Sequence, residues 1–518
     1  MSLMRAMLTV GGLTMVSRVL GFARDIAVAA ALGAGPIADA FFVAFKFPNF
    51  FRRLFGEGAF NSAFVPLFAG ITATQGRLIA LGFAEQALAA LVTALIAVQV
   101  LALAAMPWLM LVLAPGFADE PARFDVAVEL TRITFPYLLF ICITALMSGM
   151  LNSLDRFAAA AAAPILLNLA MLTAVAISPW LGLPTLAHGL AWGVFVAGLL
   201  QMVWLQQSLA RAGMRLRLPR PHLSDDVKTL LRLMVPGALG AGITQVNLLV
   251  DMMLASLLPT GAVSYLYYAD RVNQLPLGIV GAAIGTALLP VLSRQIRAGD
   301  LAAAINSQNR STAYALILTV PAAVGLIILA EPIIDLLFRR GAFGVVEAEA
   351  TAAALAAFAV GLPGYVLVKV FATAFFARQD TATPVRVAVA ALVINVILNL
   401  SLMGVIGHVG LALSTAIAGL FNAATLGWLL HRRGLFQADA PLRRTLLGLI
   451  GATLAMAAVL LGLSHLIGVP REWPALLRLA ALAGEIGAGA AVFGLVAVRL
   501  GAIDLGEMRR VFQRRRKQ

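Results

Sequence analysis

Apolar stretches follow one another along the whole chain, and only short breaks rich in Pro, Gly or charge separate them. A helix needs about 20 mainly apolar residues to cross the hydrocarbon core of a bilayer, and it satisfies all of its own backbone hydrogen bonds there. The chain is 61% hydrophobic and 12% charged, whereas soluble domains average about 25% charged residues. The sequence therefore predicts an all-α polytopic membrane protein without a sizeable soluble domain.

The hydropathy pattern predicts fourteen membrane-spanning helices. They cover approximately residues 6–32, 37–69, 79–113, 126–151, 158–178, 186–207, 229–257, 264–292, 311–337, 349–376, 385–403, 409–430, 445–467 and 475–500. The first apolar stretch runs into Arg18 and Arg24 without a small-residue cleavage site, so we expect a retained span rather than a signal peptide.

Basic residues predict the orientation, because Lys and Arg accumulate in short cytoplasmic loops. An even number of spans places both ends on one side, and the tail 504–518 is strongly basic. With both ends inside, 24 of the 38 Lys and Arg lie in inner loops or tails and four lie outside, at 123, 339, 340 and 471. This asymmetry explains the net charge of +14 without nucleic acid, and it predicts a multi-pass protein with both termini in the cytoplasm.

Similar segments recur at nearly constant offsets, as in transporters built from two related halves. His188 and the segment after it resemble Val409 and its followers, and Phe135 with Pro136 resembles Leu362 with Pro363. The repeat predicts an N-terminal lobe of six spans (1–222), a parallel C-terminal lobe (223–438), an extra helix pair (439–503) and the basic tail (504–518). A binding site is expected between the lobes.

Ionisable residues within the spans are concentrated in the first two, and these residues normally face a cavity or a partner. Arg18, Arg24, Lys46 and Arg52 outnumber the carboxylates available to them, which favours an anionic ligand such as a pyrophosphate. The alternative for any one pair is that the cation reaches an interface or neutralises a neighbouring carboxylate.

Other chemistry is not indicated. The four Lys do not stand in a Walker A pattern, so ATP hydrolysis is not expected, and neither a nucleophile with its base nor metal-ligand spacing is recognisable. The lone Cys142 excludes an internal disulfide and a cysteine-based metal site. Two further expectations concern isolated charges: Glu331, Asp335 and Arg339 form a solvated helix end, and Arg478 is a partner for Glu485.

Five runs resemble the MurJ (MviN) lipid II flippases of the multidrug/oligosaccharidyl-lipid/polysaccharide (MOP) exporter superfamily. They are SRVLGFARD at 17–25, DAFFVAFKFPN at 39–49, RRLFGEGAF at 52–60, YYADR at 267–271 and FFARQDT at 375–381. The similarity covers essentially the whole chain, and the first run is specific for the family.

The resemblance implies alternating access between two lobes, with a cationic central cavity and a groove at the last two helices for the polyprenyl tail. It assigns headgroup binding to Arg18, Arg24, Arg52 and Arg271. It assigns cavity support and gating to Ser17, Asp25, Asp39, Lys46, Glu57 and Asp270. The implied substrate is lipid II, moved from the inner to the outer leaflet for cell-wall synthesis. Membrane lipids and cell-wall synthesis proteins are further candidate partners.

Alternatives remain open at this stage: another lipid-linked oligosaccharide flippase, a cation-coupled drug exporter, or a scaffold for cell-wall enzymes. No cofactor is expected, and the energy source is predicted to be the membrane potential or a gradient of Na⁺ or H⁺. If a cation is coupled, the candidate ligands are Asp251, Asp380, Asn395 and Asn399, although Asp380 could equally cap a helix and Asp251 could pair with a neighbouring helix.

Overall fold

The structure, a computed structural model, describes residues 3–53, 60–222, 224–467 and 473–503, and apart from one isolated β-bridge the regular structure in these ranges is helical. The first ten helices are α1 Leu3–Leu32, α2 Pro36–Phe51, α3 Asn61–Gln75, α4 Arg77–Ala104, α5 Met106–Leu113, α6 Pro121–Thr134, α7 Tyr137–Ser153, α8 Phe157–Ile177, α9 Leu186–Arg211 and α10 Asp225–Ser256. The rest are α11 Ala262–Arg297, α12 Leu301–Ile328, α13 Ala330–Phe338, α14 Val345–Val360, α15 Leu362–Phe376, α16 Ala382–Arg432, α17 Ala440–Ile467 and α18 Ala475–Arg499.

The all-α class is confirmed. Each predicted span coincides with one helix, with two consecutive helices, or with half of α16. Within the described ranges, nine helical stretches are long and apolar enough to cross a membrane, and two of them, Pro121–Ser153 and Val345–Phe376, each join two consecutive α-helices. The total of fourteen is consistent with this arrangement and stays a prediction.

Local sequence signals explain several helix ends. Ser224 and Asp300 cap α10 and α12, since their side chains accept hydrogen bonds from the backbone N–H groups of Val227 and Ala303. Gly33 follows α1 with φ +69°, a left-handed conformation that suits glycine.

α16 contains a chain reversal rather than one straight helix. Ile406 and Gly407 have non-helical dihedral angles, with φ +57° at Gly407. A Cβ atom built on Gly410 would lie 2.8 Å from the carbonyl carbon of Leu402, although residues eight apart on a straight helix are separated by about 12 Å. The two predicted spans 385–403 and 409–430 are therefore joined by a turn of two residues.

The chain divides into two compact units, residues 1–264 with 340–344, and residues 265–339 with 345–518. In the first unit α8 packs against α1 and α9, and α2 packs against α6. In the second unit α17 packs against α18, and α16 packs against α14 and α15. The predicted lobe boundaries stay a prediction.

The basic segment after α9 packs against the helices of the first unit. Met214 and Leu216 are buried, while Arg215 and Arg217 between and after them are exposed. The Glu85 side chain accepts a hydrogen bond of 2.9 Å from the backbone N–H of Arg217. The segment thus alternates apolar residues toward the protein with arginines away from it.

Candidate functional site

Arg24 on α1 is buried, with 5% of its surface exposed, and each of its three guanidinium nitrogens donates a hydrogen bond. Its Nη2 and Nε donate to Oδ1 of Asp25 at 2.6 and 3.0 Å, and its Nη1 donates to Oδ1 of Asn168 at 3.0 Å. The Asn168 amide in turn donates to the carbonyl of Ser17 at 2.9 Å. Three of the predicted site residues, Ser17, Arg24 and Asp25, are thus brought together around an asparagine of α8.

Arg18 differs from Arg24, although both lie on α1. Its side chain is exposed, and within the part of the chain that the structure describes it has no recorded hydrogen bond or ion pair. α1 is continuous through Gly21, where an added Cβ would lie 3.5 Å from the Asn168 amide. This is an ordinary van der Waals distance, so Asn168 packs directly against α1 at Gly21. Among the described residues, α1 thus carries one arginine with a carboxylate partner and one without.

Further predicted site residues lie in the C-terminal half of α2 and just after it. Lys46 is half-buried, and Arg52 Nε donates to Oδ1 of Asn49 at 3.1 Å. Asn49 also donates to the carbonyl of Phe45 at 2.8 Å, which fixes the amide. Glu57 lies outside the described residues.

Asp39 at the start of α2 is completely buried, and four groups donate to its carboxylate. Arg123 Nη2 and the backbone N–H of Gly261 donate to Oδ2 at 2.6 and 2.7 Å. The backbone N–H and the hydroxyl of Ser264 donate to Oδ1 at 2.9 and 2.5 Å. Because backbone N–H groups at a helix start favour negative charge, the beginning of α11 and Arg123 together hold this carboxylate. We refer to Asp39, Arg123, Gly261 and Ser264 as the Asp39 cluster.

Arg123 was not among the predicted site residues, because it stands in what reads as a short outer loop. The structure places it in the first turn of α6 with 4% of its surface exposed, and its guanidinium carbon lies 3.9 Å from the centroid of the Phe117 ring. The sequence offered one signal: Arg123 is the only cation in a loop that otherwise carries Asp119, Glu120 and Asp125.

A second close contact involves the turn at 340–344, which belongs to the first unit. The Ala342 N–H donates to the carbonyl of Ala30 at 2.7 Å. A Cβ on Gly341 would lie 2.2 Å from the Ala30 carbonyl oxygen, and a Cβ on Gly33 would lie 2.6 Å from the Ala342 carbonyl oxygen. Glycine is required at both positions for the two backbones to approach this closely.

α11 carries Asp270 and Arg271 in the second unit, and both are half-buried. Arg271 Nη2 donates to the Tyr267 hydroxyl at 3.0 Å, and its guanidinium carbon lies 4.8 Å from the centroid of that ring. Gln274 donates to the Asp270 carboxylate. Tyr267 therefore orients Arg271, and the Gln274 amide binds the neighbouring carboxylate of Asp270.

The four predicted cation ligands have different surroundings. Asp380 accepts hydrogen bonds from the backbone N–H and the hydroxyl of Thr383 at 2.9 and 2.7 Å, and from Arg433 Nη1 at 2.8 Å. These bonds lower the pKa of Asp380 from 3.8 to about 2, first through Thr383 and then through Arg433. Asp380 therefore caps α16, which was the alternative reading of this residue.

The other three predicted ligands lie in helices. Asp251 accepts from the Asn247 amide at 3.2 Å on α10, whereas Asn395 and Asn399 are buried one turn apart on α16. Within the described ranges, no group of three or more His, Cys, Asp or Glu side chains is arranged to hold a metal ion.

The expectation of a solvated helix end at 331–339 is wrong for Asp335, which is buried. Arg478 Nη1 donates to its Oδ2 and Arg339 Nε lies near its Oδ1, each at 2.6 Å. These three residues, the Asp335 cluster, connect α13 to the start of α18. Arg478 is thus committed to Asp335 rather than to Glu485.

Comparisons with known proteins agree with this arrangement. The family model described as lipid II flippase MurJ matches residues 28–476. A probable lipid II flippase MurJ of Rhizobium tropici is 43% identical, with 100% of this chain and 98% of the relative covered. The lipid II flippase MurJ of Burkholderia cenocepacia is 37% identical, with 91% and 92% covered.

Solved structures give the same result. A lipid II flippase MurJ in an inward closed conformation superposes with a TM-score of 0.79 at 25% identity, over 94% of this chain and 97% of that one. A multidrug resistance MATE transporter of the MOP superfamily, inward-facing, has a TM-score of 0.68 at 14% identity over 83% and 98%, a likeness of fold alone. The chain is a multi-pass membrane transporter rather than an enzyme, and it belongs to the MurJ lipid II flippase family.

Proposed function

We propose that this protein moves lipid II, the lipid-linked peptidoglycan precursor, from the inner to the outer leaflet of a bacterial cytoplasmic membrane by alternating access. Family membership over the whole chain supports the substrate. The observation that carries the site is the contrast on α1, where Arg24 is neutralised by Asp25 and Arg18 has no carboxylate among the described residues. An unpaired guanidinium suits a pyrophosphate, which it can bind with two hydrogen bonds.

The test is lipid II translocation in cells depleted of their own flippase and complemented by this chain. Arg18→Ala should abolish translocation, and Arg18→Lys should fail nearly as badly because lysine cannot form the bidentate contact. Arg156→Ala, which removes an exposed arginine from a predicted inner loop, is the matched control and should translocate normally. Normal translocation by Arg18→Ala at wild-type membrane levels would contradict the assignment. Arg24, Arg52 and Arg271 are proposed as further headgroup ligands.

The contacts at the predicted outer ends support a closed outer side. Residues 256–264 and 340–344 belong to the second predicted lobe, and they bond to α1, α2 and the start of α6 in the first. Cross-linking is the direct test of closure. A disulfide between Ala30→Cys and Ala342→Cys, whose backbones share a hydrogen bond, should stop translocation, and reduction should restore it. Full activity of the oxidised protein would show that these contacts never open.

The energy source is proposed to be the membrane potential, whose work is about 2.3 kcal/mol per elementary charge per 100 mV. Fixed cations on α1 and α2 give the protein charges on which that potential can act. The rival is a coupled Na⁺ or H⁺. The commitment of Asp380 to Thr383 and Arg433 weakens it, and Asp251, Asn395 and Asn399 remain as candidate ligands. Loss of translocation on removing Na⁺ at constant potential, reproduced by Asp251→Asn, would favour the rival.

Orientation is proposed with both termini in the cytoplasm. Arg215 and Ala118 are both exposed on the protein surface, so single cysteines at these positions in a Cys142→Ala background can report which side of the membrane each one faces. The probe is a membrane-impermeant reagent added from outside. Labelling from outside at 118 and not at 215 is expected, and the reverse pattern would overturn the orientation.

A further inference from the structure

One face of α18 is apolar except at Glu485. Leu482, Glu485, Gly489 and Phe493 follow one another at helical spacing, and all four are buried. Glu485 is only 2% exposed, which is unusual for a glutamate, because glutamates are rarely fully buried without a partner.

The surroundings of this face are hydrocarbon. α18 packs against α17, α12 and α13, and the buried cluster that they form includes Leu449, Met456 and Leu460. A Cβ on Gly489, one turn beyond Glu485, would lie 2.9 Å from a methyl carbon of Leu460. The Glu485 carboxyl group therefore lies in a close-packed apolar interface.

No partner for this carboxyl group is found among the described residues. Its Oε1 is buried and has no hydrogen bond, and no cation in the described ranges forms an ion pair with it. Arg478, the nearest cation along the helix, is bound to Asp335. The other charged or titratable groups on the described parts of these four helices, together with the residue that follows α13, are Arg310, Tyr314, Glu331, Asp335, Arg339, Arg443, Arg444, His465 and Arg499.

Ionised and neutral carboxyl groups differ sharply in such a place. An isolated carboxylate loses its hydration on burial and regains nothing without a cation or donors, and such groups normally neutralise instead. A bound metal ion would need several oxygen ligands, which this apolar face does not supply.

We propose that Glu485 is a proton-binding site, which holds its proton as long as α18 stays packed against α17. The carboxylic acid is then neutral inside the helix pair, and it ionises only when the two helices part and water or a cation reaches it. Occupancy by a proton thereby reports the closed state of this pair. The proposal stands independently of the substrate that the protein moves.

Infrared difference spectroscopy of the full chain in lipid nanodiscs tests the proposal. At about pH 7, where exposed carboxyl groups with a pKa near 4 are ionised, wild type minus Glu485→Gln should show the C=O band of one protonated carboxyl group. Glu349→Gln, which alters an exposed glutamate on α14, is the matched control and should show no such band. A carboxylate band in place of the acid band would overturn the proposal.

Thermal unfolding provides a second readout that does not depend on the spectrum. Gln and Met are uncharged and similar in size to a protonated Glu, so Glu485→Gln and Glu485→Met should melt at or above the wild-type temperature. If Glu485 were ionised and paired, both variants would strand a buried cation and melt clearly lower. That result would also reject the proposal, whereas retained melting temperatures with the acid band would establish it.

Discussion

The two buried aspartates at predicted outer ends, Asp39 in the first unit and Asp335 in the second, are held in different ways. Asp39 receives two backbone N–H groups, a hydroxyl and one arginine from two distant chain segments. Asp335 receives two arginine side chains, and both arginines retain some exposure, at 19% and 16% of their side-chain surfaces. The first arrangement fixes backbone segments, whereas the second fastens one helix to another through flexible side chains.

The difference predicts unequal costs of removal. An arginine that loses its carboxylate is stranded if it is buried, but it can turn to water if it is partly exposed. The Asp39 cluster should therefore control whether the start of α6 and residues 261–264 stay bound to α2. The Asp335 cluster should mainly position α18.

The largest effect is expected for Asp39→Ala, because buried Arg123 loses its close partner and keeps only the half-exposed carboxylate of Glu120, 3.5 Å away. Losing one partner of a buried ion pair costs about 3 to 5 kcal/mol, and thermal unfolding in detergent should show a correspondingly large drop. Arg123→Met in the same background should restore part of the loss by removing the stranded charge. Equal losses for Asp39→Ala and Asp335→Ala would break the comparison.

The Asp335 cluster should respond less. Asp335→Ala removes two charged hydrogen bonds, each of which contributes about 1.5 to 3 kcal/mol, but Arg339 and Arg478 can rotate toward solvent. Arg478→Ala should loosen α18, whereas Arg339→Ala breaks a contact made four residues back along the chain. Hydrogen exchange along α18 should therefore rise in Arg478→Ala and stay near wild type in Arg339→Ala. The opposite ranking would show that the cluster does not anchor α18.

Gly341→Ala sharpens the comparison by separating backbone strain from contact at the turn formed by residues 340–344 of the first unit. A left-handed conformation costs a non-glycine residue about 1 to 2 kcal/mol, and the added Cβ also meets the Ala30 carbonyl oxygen. Gly213 has φ +81° with nothing within 4 Å of an added Cβ, so Gly213→Ala measures the strain alone. If Gly341→Ala lowers the melting temperature more than Gly213→Ala does, the difference measures the contact with the Ala30 carbonyl oxygen. Equal losses would show that this contact does not affect stability.

The smallest effect concerns Asp380, which lies outside the spans and whose pKa is lowered to about 2 by Thr383 and Arg433. A carboxyl group with a lowered pKa stabilises the folded state above its usual pKa of 3.8. That contribution should fade as pH falls from about 4 toward 2. The melting temperature of Asp380→Asn should therefore approach that of wild type over this interval, and a constant gap would exclude the linkage.

The sequence predicted what depends on local composition. Hydropathy located the helices. The position of Asp380 just before a predicted helix indicated a helix cap as the alternative to a cation ligand. Tertiary pairings were not predictable, because no feature of the sequence around Arg123 indicates that its partner is Asp39, which is 84 residues earlier. The pairing proposed between Arg478 and Glu485 was wrong because a better acceptor, Asp335, arrives from another helix. Roles for Arg18, Arg52, Arg271 and the candidate cation ligands stay predictions.

The reversal at Ile406 and Gly407 has a consequence for how this part of the chain is made and can be probed. Because the turn has only two residues, no loop separates the two arms, and we expect them to insert into the bilayer together as a helical hairpin. An epitope inserted at the turn should separate Gly410 from Leu402, whose carbonyl carbon lies 2.8 Å from a Cβ built on the glycine. We therefore expect the two arms to move together as one rigid unit.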